Sequence, residues 1–339
     1  MPPQRSWLGR LLIQGAVQWS AEKPGVSSTS VGSDALRCCE FEILVQKHPL
    51  DHDGCDIYRA NMYQDGTLVA PVVVKLGPPE RVEYEIEALQ EMQRHRDSDR
   101  YGHFNPAPTS TNLTGLGICG RGLDLPSVTL MHIERLEAAT GLVLLPQGIA
   151  SLHHLHIVDE PFLAANILRW LRQVDRQLAA MHSIQLCHGD VKPSNMVYFC
   201  KEGAFHATLI DFEHSVKLDE HTTFCGTIRY TSRRILSILK DSPPSYWSWR
   251  LFAHSPLDDF ESLFFSAFEI LHDEHELPWG SNSGLVPRMA REALLNDDAL
   301  WASHGTHFQH VTGAWEFMCQ ARLRLISFRN LSQLWPDEE

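Results

Sequence analysis

The chain has 339 residues, 43% of them hydrophobic, and a formal net charge of −13, enough to bury a sizeable core in one bilobal domain or two modest ones. Acidity of this degree argues against a nucleic-acid backbone as main partner, because phosphate binding rests on clustered Lys and Arg. It leaves a basic peptide open as a substrate.

Residues 1–35 are expected to form a flexible N-terminal extension, with Ser, Thr and Gly frequent from about 21 onward. Its apolar run Leu11-Leu12-Ile13 is cut by Gln14 and Gly15, too short for a signal segment or a membrane span. Three strands are predicted at Phe41–Val45, Ile57–Tyr63 and Leu68–Lys75. A helix opened by Pro78-Pro79 runs from Glu80 to about His95, followed by a long loop over about 102–126. Strands Ser127–Ile133 and Leu142–Leu145 end at Pro146-Gln147-Gly148. Beyond this point the pattern is mainly helical. Ile167, Trp170, Leu171, Val174, Leu178 and Met181 recur on one helical face. Short strands Met196–Phe199 and Ala207–Ile210 flank a turn at Gly203, and Phe260–Leu271 is apolar almost all round, as in a buried helix. Helical stretches at Val286–Leu295 and Trp315–Ile326 finish the chain. A strand-rich part (36–148) followed by a helix-rich part (149–339) is an α+β, two-lobed plan. The eight cysteines form no CxxC pair, so a reduced, cytoplasmic or nuclear setting is expected.

The chemistry concentrates in Cys187-His188-Gly189-Asp190-Val191-Lys192-Pro193-Ser194-Asn195 and in Leu209-Ile210-Asp211-Phe212-Glu213. Phosphoryl transfer needs a carboxylate to orient the attacking hydroxyl, hard oxygen ligands for Mg²⁺, and a cation against the γ-phosphate charge. Asp190, Asn195, Asp211 and Lys192 can supply these parts. The two segments resemble the protein kinase catalytic and metal-binding loops, HxDxKxxN and DFG. That resemblance implies a two-lobed protein kinase-like fold that uses ATP and Mg²⁺. It makes Asp190 the base, Lys192 the γ-phosphate contact, and Asn195 and Asp211 the metal ligands. Val72-Val73-Val74-Lys75 resembles the VAIK strand, implying that Lys75 contacts the α/β-phosphates. Helical spacing puts Glu85 on a face with Val82, Leu89 and Met92. A carboxylate there needs a cation, and Lys75 is the candidate. The adenine-contacting connector is expected at about 144–148, with Leu144 and Leu145 as cofactor contacts.

Cys225-Gly226-Thr227-Ile228-Arg229-Tyr230-Thr231-Ser232 resembles the end of a kinase activation segment in the form found in casein kinase 1-like enzymes. Asp258-Asp259-Phe260-Glu261-Ser262-Leu263 is similar to the buried helix of that group and of divergent fungal kinase-like families. Asp258 suits an N-cap with Glu261 three residues on, and the resemblance implies that Asp259 braces the catalytic loop. Together these motifs point to a Ser/Thr-directed protein kinase acting on a protein substrate, with neither nucleic acid nor membrane as partner.

The chain departs from the pattern in three places. Leu50, His52 and Cys55 stand near the glycine positions of the phosphate loop, Gly189 replaces the usual arginine, and Glu213 replaces the glycine of DFG. Gly189 also occurs in aminoglycoside and choline phosphotransferases, so a small-molecule phosphotransferase is the alternative enzyme. The eroded glycine loop suggests a pseudokinase scaffold. Without a guanidinium at 189, activity is expected not to require phosphorylation at Thr222, Thr223 or Thr227. His304, His307 and His310 could share a helix face but show no carboxylate partner or HExxH pattern, so no metal site is expected there. His272 and His275 are expected at a solvated helix end.

Overall fold

The computed structural model describes residues 7–16, 38–46, 56–64, 67–77, positions within 84–95, 116–118, 128–131, 141–146, 149–154 and most of 161–335. The chain divides into two units, Met1–Leu89 with Ala107–Gln147, and Gln90–Pro106 with Gly148–Glu339.

The first unit is built on an antiparallel sheet of strands β1 (Trp7–Ala16), β2 (Cys38–Gln46), β3 (Asp56–Gln64), β4 (Thr67–Gly77), β5 (Leu116–Ile118), β6 (Val128–Met131) and β7 (Gly141–Pro146). Their order is β5-β7-β4-β3-β2-β1-β6. Strands β2, β3, β4, β6 and β7 fall where alternation and turn residues place them. Strand β1 does not: the expected flexible extension contains a strand that pairs with both β2 and β6. Leu11-Leu12-Ile13, too short to cross a membrane, is an ordinary length for a strand, and periodicity cannot separate the two uses of so short a run. Strand β5 likewise lies inside the predicted loop, at only three residues. Lys75 lies near the end of β4, opposite Ile57 of β3 and Val143 of β7. The helical positions described within 84–95 form α1, which carries Glu85.

The second unit is mainly helical: α2 (Pro161–Ser183), α3 (Arg233–Leu239), α4 (Pro256–Leu271), α5 (Val286–Asn296), α6 (Asp298–Ser303) and α7 (Ala314–Ser327). Each of the six apolar positions named for α2 is fully buried. Helix α4 is buried nearly throughout, and Phe260, Phe264, Phe265 and Phe268 are inaccessible. Each such side chain contributes about 1.5–3 kcal/mol.

The start of α4 differs from expectation. Its N-cap is Ser255, with Pro256 at the first helical position, and Asp258 closes the capping box by accepting the Ser255 N–H at 2.9 Å. The signal was Ser255-Pro256-Leu257-Asp258, one box upstream of the one expected. Glu261 is thereby freed from capping and accepts from the Arg233 backbone N–H and guanidinium at 2.9 and 2.8 Å.

Two short pairings shape the site. Strands β10 (Met196–Lys201) and β11 (Ala204–Leu209) form a hairpin in which Met196 faces Leu209, with the short β8 (Ala150–Ser151) on the other edge of β10. Strand β9 (Leu186–Cys187), which leads into the loop His188–Asn195, pairs with β12 (Val216–Lys217).

Candidate active site

The catalytic loop is held from the buried side by α4. Asp259 accepts the His188 N–H at 2.8 Å on Oδ2 and the Gly189 N–H at 3.0 Å on Oδ1, and His182 Nε2 lies 2.9 Å from Oδ2 as well. Burial works against its charge, but the His182 hydrogen bond and the backbone donors outweigh it, so its carboxyl lies below the usual range. His188 donates from Nε2 to the Ile210 carbonyl at 3.1 Å, while its Nδ1 accepts the Asp190 N–H at 3.3 Å. One acceptor and one donor fix a neutral ring, and burial, the largest influence, lowers its pKa accordingly.

On this support Asp190 is 5% exposed and fully oriented. One carboxylate oxygen accepts the Thr227 N–H at 2.7 Å. The other lies 2.8 Å from Lys192 Nζ and 3.3 Å from Asn195 Nδ2. Lys192 also donates to the Thr227 hydroxyl at 3.1 Å. A carboxylate has about four acceptor positions, so one remains for an incoming hydroxyl. Asn195 donates a further bond to the Asp190 carbonyl at 3.0 Å. With its amide nitrogen committed to Asp190, its oxygen is the hard donor left for a metal. The hairpin register carries the second such donor to the same place: the Ile210 N–H donates to the Asn195 carbonyl at 2.9 Å, and Asp211 is the next residue. Asp211 adopts φ +68°, ψ +68°, a left-handed conformation that a non-glycine residue keeps only under constraint. The donor set of one carboxylate and one amide oxygen fits Mg²⁺.

Both departures from the motif have a backbone explanation. Glu213 lies in the 3₁₀ turn Phe212–His214, where no positive φ is required, so glycine is dispensable there. Gly189 has φ +82°, and a Cβ would stand 2.4 Å from the His214 carbonyl oxygen. The usual arginine cannot be placed on this backbone. A Cβ at Gly226 would in turn meet the Gly189 carbonyl at 2.8 Å. The two glycines let the activation-segment end approach the catalytic loop closely enough for the Thr227 N–H to reach Asp190.

The rest of that segment is anchored to α4 and α5. Arg229 pairs with Glu269 at 2.6 Å and donates to the Gly280 carbonyl, while the Tyr230 hydroxyl donates to the other Glu269 oxygen. Arg291, fully buried, donates to the Ile228 and Arg229 carbonyls at 2.7 and 2.6 Å and lies over the Trp279 ring. Burial lowers its pKa to about 9.

Sequence reasoning missed Arg291, which lies far down the chain in a stretch without a motif. It missed His214 too. Burial disfavours the charged His214 ring, but the Cys225 hydrogen bond and the nearby Asp190, Glu213 and Asp211 prevail, and its pKa is raised.

In the other unit Lys75 Nζ lies 2.9 Å from Glu85 Oε2, both buried, while Glu87 is exposed. Leu144 and Leu145 lie within β7, facing Val74 and Val73 of β4, so they belong to the strand and not to a connector beyond it. The phosphate-loop positions Leu50, His52 and Cys55 lie outside the described residues.

Residues 128–251 match the family model for the protein kinase domain. Over 112 residues the chain is 30% identical to the glycogen synthase kinase-3 homolog YGK3 of Saccharomyces cerevisiae, covering 32% of this chain and 29% of that protein. The chain has a divergent protein kinase-like fold. The kinase-like chain is also 31% identical over 100 residues to the serine/threonine-protein kinase PLK4 of Drosophila ananassae, 28% of this chain and 13% of that one. It thus spans less than a third of the length of these relatives. Among solved structures, vaccinia related kinase 3 is similar at 13% identity and a TM-score of 0.49, over 76% of this chain and 73% of that chain.

Proposed function

We propose that the protein is an ATP- and Mg²⁺-dependent Ser/Thr protein kinase, transferring the γ-phosphate to a protein hydroxyl. The observation that carries this reading is the Asp190 carboxylate, aligned by Lys192, Asn195 and the Thr227 N–H with one acceptor position open. Asp190 receives the hydrogen bond of the attacking hydroxyl and takes its proton as the bond to phosphorus forms. Lys192, already against Asp190, offsets charge on the transferred phosphoryl oxygens. Asn195 and Asp211 would hold Mg²⁺, which would supply positive charge against that on the phosphate oxygens. Lys75, its ammonium fixed by Glu85, is the proposed α/β-phosphate contact. Supporting a protein acceptor are Lys192 beside the base and the anchored Thr227–Tyr230 segment, the proposed shelf for a peptide. The net charge of −13 favours a basic one. No described helix is long and apolar enough to cross a membrane.

The test is transfer from labelled ATP-Mg²⁺ to a panel of basic and acidic peptides and small alcohols. Asp190→Ala and Asp211→Ala are each expected to lower turnover by at least about a hundredfold while leaving the melting temperature near wild type. Transfer indifferent to both substitutions would sink the assignment, and transfer to small alcohols alone would replace the acceptor class.

A further inference from the structure

The histidines that the sequence presents as two unrelated groups form one cluster with a carboxylate between them. Helix α6 ends at Ser303, and a 3₁₀ turn, Gly305–Phe308, follows. His304 and His307 therefore do not share a helix face. The turn folds His307 onto the end of α4, where His272 is the C-cap and is buried, not solvated. The His307 and His272 rings stack at 4.4 Å, and His307 Nδ1 lies 2.8 Å from Asp273 Oδ1. His272 Nδ1 is 3.7 Å from the same oxygen.

We propose that His272 Nδ1, Asp273 Oδ1 and His307 Nδ1 bind a divalent transition metal, with Zn²⁺ as the type ion. One ligand atom from each of the three residues lies within 4.8 Å of the other two. Donors about 2.0–2.1 Å from a tetrahedral Zn²⁺ are separated from each other by about 3.4 Å, so the observed 2.8 and 3.7 Å bracket the required edge. Imidazole and carboxylate together suit Zn²⁺ and its neighbours better than Mg²⁺ or Ca²⁺, which take all-oxygen sets.

The cluster is prepared in three further respects. The Asp273 N–H donates to the His307 carbonyl at 3.1 Å, joining the two segments through the backbone. His272 Nε2 lies 3.3 Å from His304 Nδ1, while the Glu274 N–H faces His272 Nδ1 at 3.4 Å. The nitrogen facing Asp273 is thus the one bearing the lone pair, which here accepts the long Glu274 N–H contact that an ion would displace, and His304 steers the ring from behind, as outer partners of metal-bound histidines do. Asp273 and His307 are partly exposed, which gives an ion a path in and leaves the fourth position to water. Closing the set requires that His307 turn out of its stack, its Nδ1 proton moving to Nε2 through solvent, and that His272 Nδ1 exchange the Glu274 N–H for the ion.

The site lies at the C-terminal end of α4, and Asp259 lies in its first turn. At 1.5 Å per residue the two are separated by about 20 Å, so metal here is a staple between α4 and the Gly305–Phe308 turn and not a part of phosphoryl transfer.

The experiment titrates the full chain with ZnCl₂ by calorimetry and with CoCl₂ by visible absorption. One equivalent is expected to bind, with intense Co²⁺ bands of a four- or five-coordinate site and a rise in melting temperature. His307→Ala and Asp273→Ala, both at partly exposed positions, are each expected to weaken binding at least about tenfold and to abolish the rise. Exposed His153, at a distant turn, serves as control, and His153→Ala should change nothing. Binding that is weak and shared by all variants, or tight binding untouched by His307→Ala and Asp273→Ala, overturns the proposal.

Discussion

Two buried aspartates in this molecule accept two backbone N–H groups each and end in opposite states. Asp259 braces the catalytic loop through His188 and Gly189. Asp175 of α2 ties down the C-terminal segment through the Leu334 and Trp335 N–H groups at 2.8 and 3.0 Å. Burial opposes charge at both. At Asp259 the His182 hydrogen bond, together with the backbone donors, overcomes it, and the carboxyl stays below its ordinary range. At Asp175 the backbone bonds and the more remote Arg324 and Arg176 do not suffice, and burial raises its pKa to about 7. Two backbone donors do not offset burial at Asp175, whereas at Asp259 the His182 hydrogen bond is added to them. The catalytic loop is therefore held by a fixed charge, and the C-terminal segment by a group that titrates near neutrality.

The sharpest way to break this contrast is Asp259→Ala. It leaves two backbone donors and His182 without their partner, and a stability loss of about 3–5 kcal/mol is expected in urea unfolding. A loss below about 1 kcal/mol would mean that the brace is not a fixed charge. A smaller effect tests the loop from its other side. Gly189→Ala meets both the φ of +82° and the His214 carbonyl, and about 1–3 kcal/mol should be lost, with phosphate transfer falling as Asp190 is displaced. Wild-type stability with normal turnover would show that the loop relaxes freely.

The smallest effect is a pH dependence. Because the folded pKa of Asp175 is above its unfolded value, its contribution is fully present below about pH 4 and is lost as pH rises toward 7. Asp175→Asn carries no such dependence. The melting-temperature deficit of Asp175→Asn should therefore shrink between pH 5 and pH 8. A constant deficit would show that Asp175 ionises normally and would erase its difference from Asp259.

Much of the site was legible because its parts are local. Asp190, Lys192 and Asn195 fall in one short loop, and the hairpin that brings Asp211 beside Asn195 is announced by two apolar runs around Gly203. The Lys75–Glu85 pair followed from helical spacing and the cost of an uncompensated charge. What the sequence hid depends on contacts between distant segments. Arg291 reaches the Ile228 and Arg229 carbonyls from another helix, and His307 meets His272 only because a 3₁₀ turn interrupts the helix that its spacing suggested. The need for glycine at 189 was invisible for a related reason. It arises from the His214 carbonyl, which the β9–β12 pairing draws against the loop.

Helix α4 presents Asp259 and Ser266 to the catalytic loop, and Glu269 to Arg229 and Tyr230 of the activation segment. It thereby acts as a ruler whose graduations are set by the α-helical repeat. One residue inserted after Asp259 would turn everything beyond it by about 100° and advance it by about 1.5 Å. Asp259 would keep its loop while Glu269 swung away from Arg229. The Asp190 loop and the Thr227–Tyr230 segment would lose register with each other without a single side chain being changed. Length between these positions is thus as strict a requirement on the chain as the identity of the residues themselves.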